Sequence, residues 1–372
     1  MTDDDELVII DYTDLLCDPS DATNNLSPLL SKAFGGGRNH TNSLGVIAIR
    51  NIPSFVSTKE AFLPLAYKLA HLPSDYLEEK LTDEASMYNS GWSHGKEKLG
   101  DVPDFHKASF YFNPITDMPG SEEDRKLYPV SYPINKWPQR DVLPELEDLG
   151  KELGTLMRDT VALLAKHVDG YVKSQCAEYD SSMGGEMEKT EKVKGRLLYY
   201  FPLDSDDNVN ESSSNAEEGN DVAESKEEED GHNDSWIGWH ADSGFFTALA
   251  GDLFVDHETG IPIPRKDVDP KAGLIVMNRN GKIVKVDIPE DCMAVQIGEC
   301  LQIVTNGAVV ATPHCVRGVD PKRTAKVARI SFPCFVDTVP SFPLKIPRGG
   351  SRQNVLDCSV KGCAKIPPLY ER

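Results

Sequence analysis

Trp239-His240-Ala241-Asp242-Ser243-Gly244-Phe245-Phe246 is the stretch on which the reading of this chain turns. On a strand, side chains at i and i+2 point the same way, so the imidazole of His240 and the carboxylate of Asp242 would face one pocket and could grip one metal ion. A third ligand must then come from a remote strand, and His314 in Ala311-Thr312-Pro313-His314-Cys315-Val316-Arg317 is best placed. Two imidazoles and one carboxylate on a single face, with the other positions open, suit non-haem Fe(II). A lone His-x-Asp is a weak signal, because the same pattern also reads as a solvated turn or strand edge. His257, in Asp256-His257-Glu258-Thr259-Gly260, is a rival third ligand whose surroundings read as a polar turn.

Downstream context strengthens the metal reading. Arg329 and Ser331 repeat the i, i+2 spacing inside the apolar run Val327-Ala328-Arg329-Ile330-Ser331-Phe332, where a charge should not be buried without a partner. An arginine beside a hydroxyl suits a carboxylate ligand held by two hydrogen bonds. The plainer alternative is an internal salt bridge, for which a chain with 60 acidic residues has many partners.

The order His-x-Asp, distal His, Arg-x-Ser resembles the isopenicillin N synthase-like branch of the Fe(II)- and 2-oxoglutarate-dependent dioxygenases. Arg196-Leu197-Leu198-Tyr199-Tyr200-Phe201-Pro202 is similar to that family's aromatic-aromatic-Pro strand. Gly273-Leu274-Ile275-Val276 with Gly281-Lys282-Ile283-Val284 resembles its central hairpin, and Ile297 to Gly307 its strand-turn-strand segment before the distal His. Leu7 to Asp11 and Gly45 to Ile49 fit its N-terminal strands.

The resemblance implies a mixed α+β fold, a double-stranded β-helix (jelly-roll) core flanked by mainly N-terminal helices. It implies Fe(II) on His240, Asp242 and His314, with O2 and 2-oxoglutarate consumed, succinate and CO2 released, and ascorbate as a candidate reductant. The substrate would be a small organic molecule, hydroxylated or desaturated. Arg329 and Ser331 would hold the far carboxylate of 2-oxoglutarate.

Three departures bear on that picture. The family commonly has Tyr directly before the Pro of the aromatic strand, where this chain has Phe201; Tyr199 shares a face with Phe201 by alternation and is the tyrosine expected to line the pocket. The 15 positions from His314 to Arg329 are long for the family, and the excess falls on Asp320-Pro321-Lys322-Arg323-Thr324. Some relatives use Arg-x-Ser on a substrate carboxylate, so an iron-dependent oxidase working without 2-oxoglutarate stays open. A catalytically inactive member acting as an interaction module is a third reading.

Composition limits the alternatives. At 372 residues the chain can bury a large core, and no apolar run approaches the roughly 20 residues of a membrane span. The opening Met1-Thr2-Asp3-Asp4-Asp5-Glu6 is acidic where a secretory signal is basic and then apolar, so a cytoplasmic protein is expected. Eight cysteines without a CxxC pair signal neither a disulfide scaffold nor structural zinc. Cys315 should face away from His314 and pack in the core.

The net charge of -21 is concentrated. Thirteen acidic residues against the single Lys226 lie between Asp204 and Ser235, in a segment with almost no apolar side chains that is expected to be a disordered surface insert. An acidic tail for a basic protein partner is the functional reading of it. Its sign argues against a nucleic-acid substrate, which needs clustered Lys and Arg.

Periodicity supplies the layout. Leu146, Leu149, Leu153, Leu156, Met157, Val161, Leu164, Val168 and Val172 recur at helical steps and predict one long amphipathic helix; Ala61 to Ala70 predicts a shorter one. After residue 196 short β-rich runs are divided by turn signals such as Asn280-Gly281 and Asn306-Gly307. The chain is therefore expected to be one domain: 1–195 strands and helical support, 196–340 the β core with insert 204–235, 341–372 a C-terminal extension. Trp92, Phe110 and Phe112, in the aromatic stretches around His94 and His106, are weak candidates for substrate contact, with core packing the plainer reading.

Overall fold

The computed structural model describes residues 6–21, 25–36, 42–96, 98–99, 102–203, 235–320 and 326–358. Nearly all of the acidic insert 204–235, and most of the 320–324 loop, lie outside the described residues. In chain order the strands are β1 Val8–Asp11, β2 Val46–Arg50, β3 Gly91–His94, β4 Lys98–Leu99, β5 Val102–Pro103, β6 Lys107–Phe112 and β7 Val193–Tyr200. They continue with β8 Ser235–His240, β9 Phe246–Asp256, β10 Gly273–Met277, β11 Ile283–Lys285, β12 Met293–Ile297, β13 His314–Arg317 and β14 Val327–Val336.

Eight strands form a large sheet in the order β1-β2-β12-β9-β14-β7-β6-β3, and four form a smaller one in the order β11-β10-β13-β8. Apart from the parallel β1–β2 edge, the ladders of both sheets are antiparallel. The turn with Gly281 at φ 79 closes the β10–β11 hairpin, as Asn280-Gly281 predicts.

Alternation along the large sheet decides which residues meet the helices and which meet the interior. Phe110 and Phe112 on β6, Tyr199 on β7, and Ile330 and Phe332 on β14 point to the helical side and join one apolar core with the long helix Leu146–Gln175. Phe332 stacks on Phe112 with ring centroids 5.6 Å apart, and Phe62 meets Phe332 edge-on at 5.0 Å. The helix buries Leu146, Leu153, Met157, Val161, Leu164, Val168 and Val172, most of the predicted stripe. Burying such side chains stabilises by roughly 1.5–3 kcal/mol each, so packing rather than helix propensity holds this layer. Gly154 lets the helix approach, since a Cβ there would collide with the ring of Pro114.

Two local expectations fail for identifiable reasons. The segment around Ala61 to Ala70 is not one helix but two, Phe55–Phe62 and Leu65–Ala70, because Pro64 has no N–H to continue the first and starts the second instead. Ile297 to Gly307 is strand, helix and turn: Glu299–Val304 is helical, and Asn306 and Gly307 at φ 53 and 78 end that helix rather than join two strands. No helix among the described residues is long and apolar enough to cross a membrane.

Candidate metal centre and its cavity

β13 lies between β10 and β8, and in this register His314 stands directly opposite His240. The two rings are 4.2 Å apart between centroids. Each ring places Nδ1 against the carbonyl oxygen two residues upstream, His240 on Gly238 at 2.9 Å and His314 on Thr312 at 3.0 Å. A carbonyl only accepts, so both Nδ1 atoms carry a proton, which leaves Nε2 as the atom of each ring that can ligate. Burial, with neighbouring His314 second, pushes the pKa of His240 down to about 4, which keeps its ring neutral and ligating at neutral pH.

Asp242 completes the group, but not as a strand neighbour. β8 ends at His240, and Asp242 sits in the following turn. That turn is held by the start of the Glu299–Val304 helix, whose Glu299 N–H donates to Asp242 O at 2.7 Å, while Gly298 N–H donates to Phe245 O at 2.9 Å. Gly298 is required by the contact, because a Cβ there would run into the carbonyl oxygen of Gly244. Asp242 Oδ2 accepts from Thr247 Oγ1 at 2.6 Å, leaving Oδ1 3.7 Å from His240 Nε2 and 3.9 Å from His314 Nε2. Among the described residues these three form a group able to hold a metal ion, their ligand atoms all within 4.8 Å. Thr247→Val should therefore release Asp242 and weaken Fe(II) or Mn(II) binding about 10- to 100-fold in a metal titration.

The open side of the group faces a cavity of about 1160 Å³ between the two sheets. Arg196, Leu198 and Tyr200 of β7 and Arg329 and Ser331 of β14 line it. Arg329 is buried; its Nη2 donates to Asp252, its guanidinium lies 4.8 Å from the Tyr200 ring, and its Nε and Nη1 have no partner among the described residues. Burial alone would weaken this cation, but Asp252 and Tyr200 outweigh it and hold its pKa above the ordinary value. Gln296 of β12, also buried on the cavity wall, has an Nε2 without a partner among the described residues.

Four expected contacts are corrected by strand parity. Tyr199 does not line the cavity: its hydroxyl meets His257 Nδ1 at 2.8 Å on the helical side, beside Tyr67 and His71. Phe201 packs there too, so the two do share a face, but that face points away from the cavity, and Tyr200, opposite Arg329, is the tyrosine at the cavity. Trp92 pairs with Phe110 across β3–β6; these two and Phe112 are buried in the helical core and do not line the cavity. His257 is occupied by Tyr199, away from the three-ligand group. Cys315 is buried next to His314, as expected.

Several residues were not singled out from sequence. Thr247, Gln296 and Asp252 are polar side chains inside strands, and a polar residue in an apolar strand such as Met293–Ile297 is the signal that could have found Gln296. Arg279 had no local signal. Burial of its guanidinium lowers its pKa to about 9, and it donates to Thr312 Oγ1 at 2.6 Å and Val310 O at 2.8 Å, bracing the loop that carries His314.

No protein-family model matches the chain, and no curated protein matches it either. Solved structures do. A full-length Neurospora crassa protein in complex with alpha-KG is 18% identical, with a TM-score of 0.62, covering 95% of this chain and 93% of its own. JOX2 in complex with 2OG, Fe and JA is 15% identical with a TM-score of 0.57, covering 94% and 80%. The chain has the fold of the 2-oxoglutarate oxygenases. The rice dioxygenase for auxin oxidation has it as well, at 16% identity and a TM-score of 0.52 over 92% of this chain and 87% of that one.

Proposed function

We propose that this chain is an Fe(II)- and 2-oxoglutarate-dependent dioxygenase of the isopenicillin N synthase-like branch. It oxidises a small organic substrate by hydroxylation or desaturation, with release of succinate and CO2. The observation that carries the proposal is the convergence of His240, Asp242 and His314 on one side of a cavity whose other wall holds a buried guanidinium with two nitrogens unpartnered among the described residues. The fold supports it, and small ligands are named with similar structures: the Neurospora crassa protein with alpha-KG and thymine, JOX2 with 2OG, Fe and JA. We read the two sheets as the double-stranded β-helix of one domain spanning 1–372, and the protein as cytoplasmic.

The residues fit the groups this reading requires. Two imidazoles and one carboxylate on a single face are a donor set for Fe(II), leaving positions open for ligands. Orphaned buried donors are rare in folded proteins, and Arg329 Nε and Nη1 suit an incoming carboxylate, with the Ser331 hydroxyl two residues along the same strand face. Bound iron with its co-substrate would supply the oxidising chemistry. The protein's part is placement: Thr247 orients Asp242, the carbonyls of Gly238 and Thr312 fix the imidazole tautomers, and the apolar wall excludes water. Gln296 Nε2 offers a hydrogen bond to an acceptor oxygen on a bound molecule.

The test is anaerobic titration of Fe(II) and 2-oxoglutarate into the protein. A weak visible charge-transfer band at one iron per chain supports the reading, and its absence with no iron bound sinks it. Tyr200 and Tyr199 provide an internal contrast. Tyr200→Leu should raise KM for 2-oxoglutarate about 2- to 30-fold through the lost cation–π contact, while Tyr199→Phe should leave that KM unchanged.

A further inference from the structure

Arg329 meets the cavity with a carboxylate already on it. The β9–β14 ladder slips between Ser331 and Pro333: Ser331 pairs with Asp252 but Pro333 pairs with Leu249, so β9 carries one extra residue there. Gly251, at φ +91, supplies the backbone that such a bulge needs, and a bulge re-aims the side chains beside it. The side chain re-aimed is Asp252, whose Oδ1 accepts from Arg329 Nη2. The two partners differ in their surroundings. The Arg329 side chain is 6% exposed, whereas that of Asp252 is 27% exposed and lines the cavity, so Asp252 can move into cavity water while Arg329 cannot follow.

A second carboxylate arriving at Arg329 makes the local charge negative in a buried place. Juxtaposed like charges in such a setting are strongly unfavourable, so one of the two must yield.

We propose that Asp252 is an internal competitor for the distal carboxylate of the co-substrate, occupying Arg329 when the cavity is empty and leaving it on binding. The affinity of this chain for 2-oxoglutarate is thereby set below what Arg329 and Ser331 alone would give. This rests on the co-substrate reading above, and it turns the arginine from a simple anchor into an exchange site. The Asp252–Arg329 pair is then a specificity device as well, because a monoanion lacking iron-chelating oxygens has too little binding energy to displace Asp252.

The experiment is calorimetric titration of wild type, Asp252→Asn and Asp252→Ser with 2-oxoglutarate under anaerobic Mn(II), and with glutarate, a dicarboxylate of the same chain length without the keto oxygen. Melting temperatures confirm that each variant is folded, and the two substitutions guard against one of them failing. The expected result is a Kd for both ligands at least about tenfold lower in the variants. Unchanged or weaker 2-oxoglutarate binding in a folded variant overturns the competitor role while the co-substrate reading stands. Tighter glutarate without any 2-oxoglutarate binding keeps the competitor and removes the co-substrate. No binding of either ligand to any of the proteins removes both.

Discussion

Asp242→Ala is expected to abolish turnover, with at least about a thousandfold loss in rate and no stoichiometric iron in the purified protein. Asp242 is the only charged ligand of the three, and its Oδ1 is the atom that faces both Nε2 lone pairs. Without it, two imidazoles remain, and no carboxylate of the group offsets the charge of a dication at the back of a half-buried cavity. Loss of a mere orienting contact, such as Thr247, costs about 10- to 100-fold in metal affinity; loss of the ligand itself should exceed that. Iron content, single-turnover succinate formation and the melting temperature of metal-free protein are the measurements. A folded Asp242→Ala protein that keeps full rate would show that the reaction does not use this group.

Arg329→Ala is expected to weaken 2-oxoglutarate binding by about 30-fold to a few thousandfold, the range for removing one partner of a buried charge pair. The guanidinium is buried, carries two nitrogens unpartnered among the described residues and has no second cation on its strand to take its place. Iron affinity should stay near wild type, because Arg329 is not among the three ligands. An iron-dependent oxidase that dispenses with 2-oxoglutarate predicts the opposite: equal, weak 2-oxoglutarate binding to wild type and variant. Titration of both proteins separates the two chemistries directly.

The group of His240, Asp242 and His314 was legible because its first two members are closely spaced and the third follows in order, although strand alternation is not what joins the first pair. His240 and Asp242 converge through a turn braced by a distant helix. The long helix was legible from its stripe, since 30 residues average out local exceptions. Strand parity was not. Arg196, Leu198 and Tyr200 face the cavity and Tyr199 faces the helices, yet residues 197–200 of β7 are buried on both faces, so hydrophobicity carries no sign to tell them apart. Trp92, Phe110 and Phe112 fail in the same way on β3 and β6, where six consecutive buried residues on β6 erase the alternation. Asp252 was unreadable because its aim depends on a bulge, which exists only once β9 and β14 are paired.

His314 comes abreast of His240 only when β13 has paired with β8 in the small sheet, and Asp242 lies in the turn that leads from that sheet into the large one. A bound ion would therefore act as a clasp, fastening that strand pairing to the turn between the sheets. It would favour the folded chain over any form in which those two strands have parted, and so would tie the chain's endurance to the supply of metal.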